Sequence, residues 1–370
     1  MAVAQETAPA PPAEARRFTD KTLYGPSGHP RSSDIEQNSL GDCYFVSPLG
    51  SLAQQQPQRL ENAIKYNADK GTFTVTLYKE ESPGIFRDKV TKPVQIEVTQ
   101  GEIEGNLTRR GGSTVDGRPG QNGPIWPAVM ETAYAKMHDR NPKDGLQEGY
   151  DKTAHGGWPA DALFSLTGVH GKTLDAGDFD DMGMEKAYKT LDTALKENRP
   201  VTLATKSEDT HWFRADAPQD GLVDRHAFMV ERVYKNESGD VMLQVRNPWG
   251  HNQRVGEGHD TPNASISVKL KDIVDGGGLN KIDIGPSPAQ QPKLKVASAE
   301  TGDRHLDSML ASLDDPAAMK QSMRDLAASP DGRQFAASGR EQAQQQTQTA
   351  AAPQQEEAPA PTRSGPSMRA

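Results

Sequence analysis

A mixed core of helices and strands, about 250 residues long and enclosed by polar ends, is the architecture that this 370-residue sequence predicts. Three observations carry that expectation. Apolar side chains recur at helical spacing in Trp126, Val129, Met130, Ala133, Tyr134 and Met137. Strict alternation marks residues 72–78 and 94–98 as half-buried strands, and two further β-patterned runs, 227–234 and 241–246, flank a polar turn. The hydrophobic fraction, 34%, is low for a folded chain, and the deficit lies at the ends, where Ala, Pro, Glu and Gln dominate.

Taken in order, residues 1–31 lack apolar periodicity and are expected to form a disordered arm. Gln37 to Gln56 reads as a loop and then a helix. Gly41-Asp42 supplies turn and N-cap chemistry, and Tyr44, Phe45, Val46, Leu49 and Leu52 bury one face. Pro48 removes a hydrogen bond inside that helix and is expected to kink or shorten it. Residues 60–66 continue as helix, 111–123 form a Gly/Pro-rich loop, and 125–138 form a helix. The pair Gly156-Gly157 and the step Thr167-Gly168 mark a seam between two lobes, because glycine absorbs backbone rotation cheaply. Beyond it come a helix at 185–197, a strand at 201–205, the hairpin already noted and one more strand at 266–270. Gly276-Gly-Gly278 is expected to end the regular region. From Pro286 the chain is Pro/Gln/Lys-rich, with short helices expected in 304–328 and 332–347 and a break at Asp315-Pro316. Leu306, Met309, Leu310 and Leu313 give the first of these one amphipathic face. Residues 344–370 are expected to be unstructured, as a solvated tail or a docking or export segment.

Charge narrows the partners. With 42 Lys+Arg against 51 Asp+Glu the net charge is −9, which suits neither nucleic acid nor an anionic membrane surface. No apolar run is long enough to span a bilayer, and the N-terminus lacks a hydrophobic signal core. The expectation is a cytoplasmic protein, or one exported without a conventional signal peptide.

The chain contains one cysteine, Cys43, so an internal disulfide is excluded and the thiol cannot by itself build a zinc site. Two readings stand at this point. The thiol is a small buried apolar group, or it is kept for its reactivity. A cysteine in the first turn of a helix lies where unpaired N–H groups and the helix dipole favour the nucleophilic thiolate. Two later segments weigh in: Asp224-Arg-His-Ala-Phe-Met-Val230, and Gln244-Val-Arg-Asn-Pro-Trp-Gly250. The hairpin between them would hold His226 near Asn247. Cysteine, histidine and asparagine in that order offer a nucleophile, a general acid/base and a group that orients the imidazole.

The sequence resembles the calpain family of cysteine proteases. The likeness rests on Gln37-Asn-Ser-Leu-Gly-Asp-Cys-Tyr-Phe45, on the His226 segment and on Arg246-Asn-Pro-Trp-Gly250. It also rests on Trp126-Pro-Ala-Val-Met-Glu-Thr-Ala-Tyr-Ala-Lys136 and on Gly156-Gly-Trp-Pro-Ala-Asp-Ala-Leu-Phe-Ser-Leu-Thr-Gly168. Asn38 and Arg225 stand where the family has glycine, which concerns loop shape more than chemistry. The resemblance implies a papain-like α+β fold: a mostly helical lobe at 32–168 carrying Cys43, a strand-rich lobe at 169–285 carrying His226 and Asn247, and a polar tail at 286–370. It implies a cysteine endopeptidase acting on protein or peptide substrates, with no cofactor required for the chemistry. In that scheme Cys43 attacks, His226 moves the proton, Asn247 orients the ring, and Gln37 aims its amide at the oxyanion beside the Cys43 N–H. Trp249 would shield the Cys–His pair from water.

Calcium enters the same way. The family's first site maps to Asp34 and Glu131, whose carboxylates suit a hard cation. The family's second site draws on acids just after Asn-Pro-Trp-Gly, and His251-Asn-Gln-Arg-Val255 supplies none there. No EF-hand loop follows the core, and the tail lacks the strands of a C2-like sandwich. Three other readings are compatible with these residues: a calpain-like module that binds peptide without cutting, a thiol acyl transferase, and an effector protease delivered by a dedicated secretion machine. Asn247 speaks for the protease over the transferase, where an Asp would fit better.

Overall fold

The first half of the chain and the second half collect their apolar side chains into two separate cores. The computed structural model describes residues 17–82, 88–115, 123–141, 143–206, 222–253, 260–261, 263–294, 316–329 and 332–333. Met1–Lys295 and Val296–Ala370 form two units. Of the second, the described part is chiefly a helix at Pro316–Ala328, opened by the proline expected to break it. The amphipathic face proposed at Leu306–Leu313 lies outside the described residues.

The first core is built by a short helix α1 (Asp20–Leu23), α2 (Cys43–Gln55), α3 (Pro57–Ala63) and the strands β1 (Ile64–Asn67), β2 (Thr72–Glu81) and β3 (Val90–Val98). Helices α4 (Gln100–Arg109), α5 (Trp126–His138) and α7 (Pro159–Thr167) complete it, and Tyr150 of α6 (Gln147–Ala154) packs with Ala135 of α5 in a smaller cluster. The strands form an antiparallel sheet in the order β1-β2-β3. Pro93 sits in the edge strand β3, where a missing N–H leaves no ladder bond unmade toward a further neighbour.

The second core is packed on a six-stranded antiparallel sheet. Its strands are β4 (Lys172–Leu174), β5 (Val201–Thr205), β6 (Ala227–Lys235), β7 (Val241–Arg246), β10 (Ser265–Lys269) and β11 (Leu279–Ile284), in the order β10-β7-β6-β5-β11-β4. A two-residue pair, β8 (Asn252–Gln253) and β9 (Asp260–Thr261), lies apart from it. Helices α8 (Ala176–Lys196) and α9 (Leu270–Asp275) cover the sheet. Helices and antiparallel sheets are thus segregated, and the fold is α+β.

Several expectations are corrected. Phe18, Leu23 and Tyr24 pack on the first core, and Phe18 exchanges backbone hydrogen bonds with the Gln100 side chain, so the arm expected at 1–31 is structured from residue 17. Ile64–Asn67 is a strand, because Ile64 and Tyr66 pair across to Val75 and Phe73. Gly276-Gly-Gly278 does not end the regular region: β11 follows and lies between β5 and β4. The helix expected at 185–197 begins at Ala176 and is kinked where Gly183 takes φ 73°. Pro48 lies within α2, which runs on to Gln55. An interior proline costs about 3 kcal/mol. Here residues from Tyr44 to Ala53 are buried on all sides, and that packing holds the helix through it. Among the described residues no helix is long and apolar enough to cross a membrane.

Candidate active site

Close contact between α2 and β6 sets the site. A Cβ on Gly50 would stand 2.5 Å from the Met229 sulfur, so the glycine leaves room for the Met229 side chain to lie against the helix at that level. Met229 accordingly packs into the first core. Two hydroxyls on the same helix fasten it to the second lobe. Ser47 donates to the Ala227 carbonyl at 2.7 Å, and Ser51 donates to the Val201 carbonyl at 3.0 Å. Cys43 is the first residue of α2, one step from this interface, and the residue before β6 is His226.

His226 is held at both ends. Its backbone N–H donates to Thr205 Oγ1 at 3.0 Å, and its carbonyl accepts from the Thr205 N–H at 2.9 Å. The ring packs against Trp249, centroid to centroid 4.6 Å, and meets Phe228 edge-on at 4.9 Å. Its Nε2 lies 2.9 Å from Asn247 Oδ1. The Trp249 backbone N–H also points at that Oδ1, at 3.0 Å, so the atom there must be an acceptor. Nε2 therefore carries the hydrogen and donates, which leaves the lone pair on Nδ1. Asn247 is fully buried, anchored by its N–H to the Ala264 carbonyl at 2.9 Å, while its Nδ2 has no hydrogen-bond partner.

Cys43 and His226 line one open cleft of about 460 Å³, together with Gly157, Trp158, Arg225 and Asn280. No hydrogen bond joins the thiol to the ring. The Arg225 backbone takes φ 50°, the left-handed region that the glycine of the family motif would enter without strain. Asn38 meets its substitution differently, donating to the Glu36 carbonyl and accepting from Arg110, each at 2.9 Å. Burial pushes the Cys43 thiol up and outweighs the nearby backbone N–H groups that pull it down. Burial likewise pushes His226 down to about 4, against the pull of the Asn247 hydrogen bond. The helix start alone therefore does not make the resting thiol a thiolate, contrary to the expectation from sequence. Formed together, the two charges would attract, and each would cost less than it does alone.

Gln37 stands behind the cleft and does not line it. Its Nε2 donates to the Leu40 carbonyl at 2.6 Å and to Asp42 Oδ1 at 3.2 Å, which uses both amide hydrogens, and its buried Oε1 accepts nothing. Its backbone N–H reaches across to the Pro248 carbonyl at 2.6 Å, joining the Cys43 loop to the Asn-Pro-Trp-Gly turn. Asp42, at the N-cap position, does not cap α2 with its side chain. That carboxyl takes the Gln37 amide and lies against Glu131 instead. Both carboxyls are buried, and burial pushes both up.

The pair expected to hold calcium is engaged by protein donors. Asp34 Oδ2 accepts from the Trp126 indole at 2.8 Å and from the Arg31 N–H at 2.9 Å. Glu131 Oε2 accepts from the Gly112 N–H at 2.7 Å. Among the described residues no three His, Cys, Asp or Glu side chains converge on one point. Glu131 Oε1 is buried and has no hydrogen-bond partner. Thr205 and Trp158 join the site without having been singled out by a motif role. Thr205 gives no signal beyond a strand end, whereas Trp158, 48% exposed at the cleft, follows a Gly-Gly pair that could have flagged it.

A family model described as calpain family cysteine protease matches residues 15–271. Among curated proteins, Calpain-13 of Rattus norvegicus is 28% identical over 234 residues, covering 61% of this chain and 30% of that protein. A thiol protease of Porphyromonas gingivalis is 26% identical over 230 residues, covering 60% of this chain and 45% of the relative. The calpain-type cysteine protease DEK1 of Zea mays is 27% identical over 237 residues, covering 61% of this chain and 9% of the relative. The chain thus spans less than half the length of each of these relatives.

Proposed function

Because the chain belongs to the calpain family of cysteine proteases, we propose that it hydrolyses peptide bonds in protein substrates with Cys43, His226 and Asn247 acting as one unit. The observation that carries this reading is the tautomer of His226. With Nε2–H spent on Asn247, the free lone pair on Nδ1 belongs to a ring that lines the same cleft as the thiol. Sγ attacks the substrate carbonyl carbon while Nδ1 takes the thiol proton. The C–N bond then breaks as the imidazolium gives that proton to the departing amine. Water, deprotonated at Nδ1, cleaves the thioester and restores the thiol. Asn247 keeps the ring from rotating, and Trp249 covers one side of it.

The oxyanion of the tetrahedral intermediate is bound by the Cys43 N–H, which at the first position of a helix has no intrahelical acceptor. Gln37 is the second donor, turning its amide from Leu40 and Asp42 toward the developing charge. Its unpartnered Oε1 loses nothing by that turn. One such donor is worth about 3 kcal/mol in the transition state. No step calls on a cofactor.

The test is cleavage of casein and of a fluorogenic peptide by the full chain, with calcium, with a chelator and after thiol alkylation. Turnover that survives chelation and stops on alkylation is the expected result. Peptide binding without turnover would leave a peptide-binding module in place of the protease.

A further inference from the structure

On the first-lobe side of the Gly156-Gly157 segment lies a second cavity, of about 440 Å³. Its floor is aromatic. Buried rings of Tyr44, Tyr78, Tyr134 and Phe164 enter it from four different elements, α2, β2, α5 and α7. These rings are fixed in place. A Cβ on Gly157 would stand 2.4 Å from the Tyr44 ring, and one on Gly168 would stand 2.7 Å from the Tyr78 ring, so backbone pins both. Phe45 stacks on Tyr134 with centroids 4.1 Å apart. One wall is His170, stacked on Phe164 at 4.3 Å and hydrogen-bonded to Glu80 at 2.7 Å.

Charges around the rim are largely spent on each other. Glu80 pairs with Lys89, Lys79 with Glu81, and Lys152 with Glu148, while Asp161 stands exposed to solvent. A rigid aromatic floor inside a self-neutralised rim makes no demand for a charged ligand. It matches a bulky apolar side chain, and an aromatic one best. The cavity shares Tyr44, Gly157 and Trp158 with the Cys43 cleft, and the divide between the two carries a glycine with no side chain. A polypeptide lying over Cys43 therefore borders this cavity along Tyr44, Gly157 and Trp158.

We infer that the cavity is a specificity subsite for one aromatic side chain of the polypeptide bound in the cleft. The inference rests on reading that cleft as a peptide site. The test titrates the full chain carrying Cys43→Ala with peptides in which a single Phe is walked through an alanine-rich sequence. One register is expected to bind about tenfold more tightly than the all-alanine parent. His170→Trp narrows the wall and should cut that advantage to about twofold or less, whereas His170→Ala should shift the preference from Phe to Trp. The His170 side chain is 62% exposed, so neither change threatens the core. Equal binding in every register, or an advantage that survives His170→Trp, would overturn the inference. Separately, a wild-type chain that cuts none of these peptides while the Cys43→Ala protein keeps its Phe preference would sink the protease reading and support the subsite.

Discussion

Replacing His226 by glutamine should remove a pH-dependent contribution of about 3 kcal/mol from the stability of the fold. Burial holds the ring at a pKa of about 4, against 6.5 for an ordinary imidazole. Protonation therefore favours the unfolded chain. Well above 6.5 the ring is neutral in both states and adds no pH dependence. As pH falls, the unfolded chain takes up its proton first, and the folded state loses about 1.4 kcal/mol by about pH 5.5 and about 3 kcal/mol by about pH 4. Asp34, Asp42, Glu131 and Asp283 run the other way. Burial raises all four, so they favour the folded chain in acid and penalise it as pH rises through their folded values. The wild-type curve mixes these opposing trends, but the difference between wild type and His226→Gln isolates the ring. Urea unfolding followed by tryptophan fluorescence suits the measurement, because Trp249 lies against His226. A wild-type advantage that stays flat from neutral pH to pH 4, or that erodes above pH 6.5, would refute the burial argument.

Cys43→Ala should abolish peptide cleavage and leave the thermal midpoint nearly unchanged; retained turnover would remove Cys43 from the chemistry. Gln37→Ala should lower kcat about a hundredfold with little change in KM, and a rise in KM alone would make Gln37 a binding residue. Gly50→Ala pushes a methyl against Met229 and should cost about 1–3 kcal/mol, with Met229→Ala in the same chain recovering part of it. Additive losses in that double variant would mean that the two positions do not touch.

Local patterns made the hairpin readable: alternation in β6 and β7 and a polar turn between them predict the approach of His226 to Asn247. The start of α2 at Cys43 was equally legible, because it depends on neighbours in sequence. What lay hidden depends on distant partners. β11 reads as irregular because a register shift between Leu279 and Lys281 disrupts its alternation, and its place between β5 and β4 is fixed only by pairing. Residues 17–31 look like an arm because Phe18, Leu23 and Tyr24 are thin among polar neighbours; Gln100, far along the chain, ties Phe18 down. The engagement of Gln37 follows from Asp42 turning to Glu131 on α5 instead of capping its own helix, which no nearby residue announces.

Ser47 and Ser51 act as bolts beneath the cleft, tying its floor to the sheet opposite by two buried hydrogen bonds. Prising the halves apart would strip both carbonyls of these partners in a dry interior, a cost of about 1–3 kcal/mol apiece. A jaw closed at its base cannot swallow a folded body. On the proposed function, a substrate would enter over Cys43 from the open rim as an extended strand, and looseness of the target chain would be the first requirement for cleavage.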